Sequence, residues 1–143
     1  MTLSIIGTRD LAVLSPAASV TDAVRMMGER GVGSILVSED DKLVGILTDR
    51  DLVLRVLAEA RDPRVVRLAE IMSAPVVTVR DDTSIDDAAW RMREHAVRRL
   101  PITDAAGSAL GIITLDDILG HVGGRRGDVA EILASFHAPS QVV

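Results

Sequence analysis

The amino-acid sequence predicts an α+β fold. Two βαββα modules stand in tandem and pack as a pseudo-twofold pair, with the sheets inside and the helices outside. Three observations lead there. The chain matches itself once, at a period too long for a solenoid repeat. Each copy alternates short apolar runs with apolar residues at helical spacing. The 143 residues, 48% hydrophobic and 26% charged, amount to about one domain of ordinary globular chain.

At an offset of 65 residues, Val20 falls on Ile85, Asp22 on Asp87, Ala23 on Ala88, Met27 on Met92, Glu29 on Glu94 and Val32 on Val97. After one inserted residue, Gly45, Ile46, Thr48 and Asp51 fall on Gly111, Ile112, Thr114 and Asp117. A copy this small is marginal alone, because too little of its apolar surface would be covered.

In the first copy, LAVL at 11–14 reads as a strand. Ser19, three residues before Asp22, forms a capping-box pattern, and Val20, Ala23, Val24 and Met27 follow at helical spacing. SILV and LVGIL, joined by the polar SEDDK, read as paired strands, and a closing helix begins at Thr48. The second copy repeats the order. VVTV at 76–79 follows Pro75, Ser84 and Asp87 precede a helix with Ile85, Ala88, Ala89 and Met92, RLPIT and ALGII flank DAAG, and a closing helix begins at Thr114. Residues 58–71 form a charged connector broken by Pro63. The expected organisation is a first repeat over 1–64, a second over 65–122 and a tail over 123–143. In the tail, Gly123, Gly124, Arg125 and Arg126 precede an amphipathic stretch with Val129, Ile132, Leu133 and Phe136 on one face.

Composition removes several function classes. With no cysteine there are no disulfides, thiolate ligands or cysteine nucleophile. An aromatic content of 1% leaves no platform for stacking bases. The net charge of -5 opposes binding to a nucleic-acid backbone. No apolar run approaches the ~18 residues of a membrane span. The chain reads as a cytoplasmic, non-enzymatic protein with neither nucleic acid nor membrane as partner. Lys42 is the single lysine among 16 basic residues, and arginine suits bidentate recognition of phosphate and carboxylate. His95, His121 and His137 lack metal-ligand spacing, so no metal is expected. Asp40–Asp41, Asp81–Asp82 and Asp86–Asp87 read as turn and helix-start residues. Met26, Met27, Met72 and Met92 read as core, with Met26 and Met27 alternatively on an adaptable dimer surface. Trp90 is either core or a dimer contact.

The most informative feature is GILTDRD at 45–51 beside GIITLDD at 111–117, a Gly-x-x-Thr-x-x-Asp signature that ends a strand and opens a helix. It has two readings. Thr three residues before Asp is a capping box. Alternatively, a helix N-terminus with free amides and a hydroxyl takes a phosphate, while the nearby carboxylate accepts both hydroxyls of a ribose.

Residues 7–122 resemble a tandem pair of CBS domains, a Bateman module. The likeness rests on SVTDAVRMM, GVGSILVSE and GILTDRDLV in the first repeat, and on TVRDDTSIDDAAWRM, AVRRLPITD and GIITLDDIL in the second. The resemblance implies adenosyl ligands bound between repeats, with Thr and Asp of the signature on phosphate and ribose. One cleft would use Thr48, Arg50 and Asp51 with Pro75, Val77 and Val97, and the basic pair Arg98 and Arg99 ahead of Leu-Pro would reach its phosphate. A second, weaker cleft would use Thr114, Asp116 and Asp117 with Asp10, Ala12 and Val32. The first repeat carries Gly33 and Ser34 where the second has its arginine pair, and Asp116 puts an acid where the family can have a base.

The implied function is a regulatory, ligand-sensing module with no required cofactor. Its candidate ligands are AMP, ADP, ATP and S-adenosylmethionine. It would assemble as a homodimer and signal to a protein effector in trans. The alternative is a homodimeric interaction module with empty pockets.

Overall fold

The computed structural model describes residue 3 and residues 6–122; the amphipathic stretch from Val129 to Phe136, the basic pair Arg125 and Arg126, and His137 lie outside the described residues. In chain order the elements are β1 (Val13–Leu14), α1 (Val20–Arg30), β2 (Ser34–Glu39), β3 (Lys42–Thr48), α2 (Asp49–Leu52), α3 (Leu68–Ile71), β4 (Val79–Arg80), α4 (Ile85–Glu94), β5 (Arg99–Thr103), β6 (Ala109–Thr114) and α5 (Leu115–Val122). The expected α+β order is present twice, in two three-stranded sheets ordered β1-β2-β3 and β4-β5-β6.

Local chemistry explains the elements. The Ser19 hydroxyl accepts from Asp22 N at 3.1 Å while the Asp22 carboxylate accepts from Ser19 N at 3.1 Å, so α1 starts on a complete capping box. It stops at Gly31, whose φ of 62° lies in the left-handed region open to glycine. Ser84 supplies the same hydroxyl contact to Asp87 N at the start of α4, at 3.0 Å. Antiparallel β2 and β3 turn through Asp40 and Asp41, both at positive φ as a tight two-residue hairpin demands. Three elements differ from the sequence expectation. β1 and β4 are two residues long, because each pairs in parallel with its neighbour over only two positions. The first closing helix is four α-helical residues followed by a π-helical turn, Val53–Leu57.

The chain forms two compact units whose boundaries differ from those of the sequence repeats. One holds Asp10–Val76 and Ala106–Ala109; the other holds the described residues of Met1–Arg9, Val77–Ala105 and Leu110–Val143. Backbone pairing accounts for the exchange of leading segments. In the first-repeat unit, Ser73 N donates to Ile46 O at 2.9 Å and Ile46 N donates to Ser73 O at 3.1 Å. In the second-repeat unit, Thr8 N donates to Ile112 O at 2.9 Å and Ile112 N to Thr8 O at 3.0 Å. The segment ahead of each repeat therefore lies on the last strand of the other.

Each unit has its own core. Val20, Ala23 and Met27 of α1 pack with Ile35, Val37 and Leu47 of the sheet in one, and Ala88, Ala89 and Met92 of α4 pack with Leu100, Ile102 and Ile113 in the other. Met27 and Met92 are therefore core, as expected. A buried Leu or Ile side chain stabilises by roughly 1.5–3 kcal/mol, so these short elements hold through packing rather than helix or strand propensity.

The exchange explains the glycine of the signature. A Cβ on Gly111 would stand 3.0 Å from Thr8 O, and one on Gly45 would collide with the Met72 side chain. Gly7 is tighter than Gly111, with Ile112 O at 2.8 Å and Ile102 Cδ1 at 3.1 Å from the added carbon. Gly7→Ala is expected to destabilise by roughly 1–3 kcal/mol through overpacking against backbone. In contrast, Gly28→Ala on open surface in α1 gains about 0.5–1 kcal/mol from helix propensity. Urea midpoints of the two variants check this.

A second expectation concerns acid. Antiparallel bridging of Ser19 with Arg67 sets two carboxylates side by side in the chain's hydrogen-bonding scheme, Asp22 on Ser19 N and Glu70 on Arg67 N at 2.7 Å. The Ser19 amide, then its hydroxyl, hold Asp22 below the ordinary 3.8; the Arg67 amide holds Glu70 below 4.5. A depressed folded pKa stabilises above the unfolded value and is lost as pH falls through the folded one. Stability is therefore expected to be flat above about pH 5 and to fall below it. Asp22→Asn with Glu70→Gln should flatten the acid limb of a plot of denaturation midpoint against pH.

Candidate ligand site

The two signatures fold as capping boxes. Thr48 N donates to Asp51 Oδ2 at 2.8 Å and Asp51 N to Thr48 Oγ1 at 3.3 Å. Thr114 N donates to Asp117 Oδ2 at 2.8 Å and Asp117 N to Thr114 Oγ1 at 3.1 Å. These are reciprocal capping boxes, which satisfy donors that a helix start leaves open.

The expectation of free amides at these helix starts needs correction in the first repeat. Asp49 N is taken by Gly33 O at 3.1 Å, Arg50 N by Asp49 Oδ1 at 2.8 Å and Asp51 N by Thr48 Oγ1. In the second repeat Leu115 N goes to Arg98 O at 2.8 Å. The cap and the preceding strand consume these amides, so recognition of an anion falls to side chains. Two groups remain suited to it, the threonine hydroxyls, which still have a proton to donate while accepting an amide, and the arginines; the carboxylates suit hydroxyl donors instead.

The second unit gathers such groups around one hollow of about 170 Å³, lined by Arg98, Arg99, Thr114, Leu115 and Asp116. The resemblance assigned Arg98 and Arg99 to the set with Thr48; the hollow groups them with Thr114 and Asp116, which were assigned to the other set. The bond from Leu115 N to Arg98 O ties the strand bearing the arginines to the start of α5, and so sets this grouping. Its charge is mixed, with two guanidinium groups and one carboxylate.

The other expected residues divide between the units. Thr48, Arg50, Asp51, Pro75, Asp10, Ala12 and Val32 belong to the first-repeat unit; Val77, Val97, Arg98, Arg99, Thr114, Asp116 and Asp117 belong to the second. Asp10 is paired with Arg30 at 3.2 Å beyond the end of α1. Ala12 is buried in its unit's core, and its carbonyl accepts from Leu36 N at 2.9 Å. Val32 packs against the same core, while Val77 and Val97 pack against the core of the second unit. Pro75 and Arg50 are exposed. Trp90 is not core: it is 57% exposed on α4, with the Arg93 guanidinium 4.9 Å from the ring centroid.

One residue in contact with the first signature escaped the sequence reading. Arg55 lies 3.5 Å from Asp51 Oδ1 and donates to Ile71 O at 2.7 Å and to Ser73 Oγ at 3.0 Å. The spacing from Asp51, four residues on a helix, is the signal that would have found its first contact. No local pattern gives the other two.

The CBS domain family matches at residues 5–58 and again at 68–124. The chain belongs to the CBS domain family. Its two CBS repeats are 39% identical over 115 residues to the uncharacterized protein MK0525 of Methanopyrus kandleri, covering 80% of this chain and 59% of that protein. They are 38% identical over 111 residues to the CBS domain-containing protein YhcV of Bacillus subtilis, covering 78% of each. The solved structure of CBSX2 in complex with AMP superposes with a TM-score of 0.71 at 32% identity, covering 85% of this chain and 95% of that one. Among the described residues, no helix of this CBS pair is long and apolar enough to cross a membrane.

The capping role of the signature is separable from ligand binding. Thr114→Ala should lower stability without any ligand present by about 1 kcal/mol, the usual effect of losing a cap hydroxyl. Equilibrium urea unfolding of the purified chain measures it.

Proposed function

We propose that this CBS pair is a regulatory module that binds an adenosyl ligand carrying a single phosphate, with the second signature as its stronger site. The observation that carries this is the hollow in which Arg98, Arg99, Thr114 and Asp116 meet beside the Asp117 cap. In this reading the guanidinium forks and the Thr114 hydroxyl hold the phosphate, since charge-assisted bonds from arginine to phosphate are among the strong ones. Asp117 accepts the ribose hydroxyls through the lone pairs its cap leaves over. Two arginines against Asp116 leave one net positive charge, which suits the phosphate of AMP better than the longer anionic chain of ATP. CBS-domain proteins are regulatory, and the CBSX2 structure with AMP supports a nucleotide for this chain as well. Binding would act by favouring one arrangement of the protein over another, read by a protein effector in the cytoplasm.

A second reading, the homodimeric interaction module, is favoured by the apolar residues left on the surface. Leu57 is 75% exposed, and Val24, Val53, Leu54 and Trp90 are exposed as well. Such residues in number mark association surfaces.

Calorimetric titration of the full chain with AMP, ATP and S-adenosylmethionine separates the two. AMP is expected to bind more tightly than ATP, and Asp117→Asn, which keeps a cap acceptor but loses the charge, to weaken AMP by about 10-fold or more. Arg98→Met with Arg99→Met should do the same. An absence of heat with all three ligands, and of any rise in melting temperature, rejects the nucleotide reading and leaves the interaction module.

A further inference from the structure

Arg55 belongs to the π-helical turn Val53–Leu57, a conformation concentrated at functional positions. Its guanidinium makes two kinds of contact. Nη1 donates to Ile71 O at 2.7 Å and to Ser73 Oγ at 3.0 Å, which are full hydrogen bonds. Nη2 stands 3.5 Å from Asp51 Oδ1, an ion pair longer than the ~2.7–2.9 Å of a charge-assisted bond. Arg55 is thus anchored on the stretch that leads towards the second repeat, and reaches Asp51 from there. Ser73 in turn is bound through both backbone groups to Ile46, two residues ahead of Thr48 on β3.

Both oxygens of Asp51 are therefore engaged, Oδ2 by the Thr48 amide and Oδ1 by the guanidinium. The second repeat provides an internal comparison. Four residues beyond Asp117 stands His121 in place of arginine, and among the described residues no cationic side chain lies within 4.0 Å of Asp117.

We infer that Arg55 is a specificity-determining gate on the first signature: it occupies Asp51 Oδ1, makes the two signatures unequal towards a ribose diol, and couples diol binding at Asp51 to the hold on Ile71 and Ser73. The inference rests on the reading of the signature carboxylates as diol acceptors. A vicinal diol donates two hydrogen bonds. Oδ2 keeps a lone pair for one while it caps Thr48, and Oδ1 accepts the other in competition with the charge and bulk of the Arg55 guanidinium beside it. A guanidinium released from Asp51 no longer has its charge partner, and its contacts to Ile71 O and Ser73 Oγ loosen with it. The coupling is reciprocal, so breaking the contact from Arg55 strengthens diol binding by the factor that binding loosens the clamp.

The probe is adenosine, which carries the diol without a phosphate. It is titrated into the full chain bearing Asp117→Asn, so that the first signature reports, with and without Arg55→Met. The expected result is binding about two- to fivefold tighter with Arg55→Met, the range for a partly exposed ion pair. Arg55→Lys, which keeps the charge and the fold but not the two-pronged geometry, should shift affinity the same way by less. In the wild-type chain, hydrogen exchange at the Ser73 amide should quicken when adenosine is added; with Arg55→Met it should be fast from the outset and indifferent to adenosine. Adenosine binding that is unchanged, weaker or absent with Arg55→Met overturns the gate, as does Ser73 exchange that ignores Arg55. Failure of the regulatory reading itself appears separately, as absence of AMP binding to the wild-type chain with Asp117 intact.

Discussion

A hydroxyl and a carboxylate three residues apart, each accepting from the other's backbone amide, recur at three helix starts of this chain. Ser19 with Asp22 starts α1, Thr48 with Asp51 starts α2, and Thr114 with Asp117 starts α5. The bond is local, so it forms without help from the rest of the fold. It also fixes the direction in which the strand before it and the helix after it diverge. The proposed ligand recognition uses the same atoms: the carboxylates proposed as ribose acceptors are those that cap, and the threonine beside the arginines receives the capping amide. A group already held by the backbone loses little freedom when a ligand arrives, which is the physical advantage of giving one carboxylate both tasks.

That overlap limits what the signature alone reveals. The duplication, the order of elements, the paired strands and the cap residues Ser19, Thr48, Ser84 and Thr114 were all legible, because each rests on residues near one another in sequence. Strand length at β1 and β4 was not. LAVL and VVTV are uniformly apolar, but only two residues of each region find a parallel partner, and pairing is a property of the neighbour. The amides expected to be free are consumed by Gly33 O and Arg98 O, carbonyls of the strand entry in each repeat, which no pattern within the helix announces.

The same limit explains the arginines. The resemblance offered Arg98 and Arg99 as phosphate-binding candidates, while the company they keep depended on one backbone bond between residues 98 and 115. Arg55 stands in no motif of the sequence. Its role rests on Ile71 and Ser73, which are 16 and 18 residues further along and come within reach only once Ser73 has paired with Ile46.

The exchange of leading segments has a consequence for how the chain comes to be folded. Thr8 leaves the ribosome early, but its backbone partner, Ile112, sits near the far end of the described chain. The second-repeat unit therefore cannot make this bridge during synthesis until Ile112 has been made, whereas the other unit has all of Asp10–Val76 beforehand. Pairings so distant in sequence are slow to form, since a long loop must be closed before any contact rewards it. A chain cut between its repeats would yield two fragments, each missing the edge that the other carries.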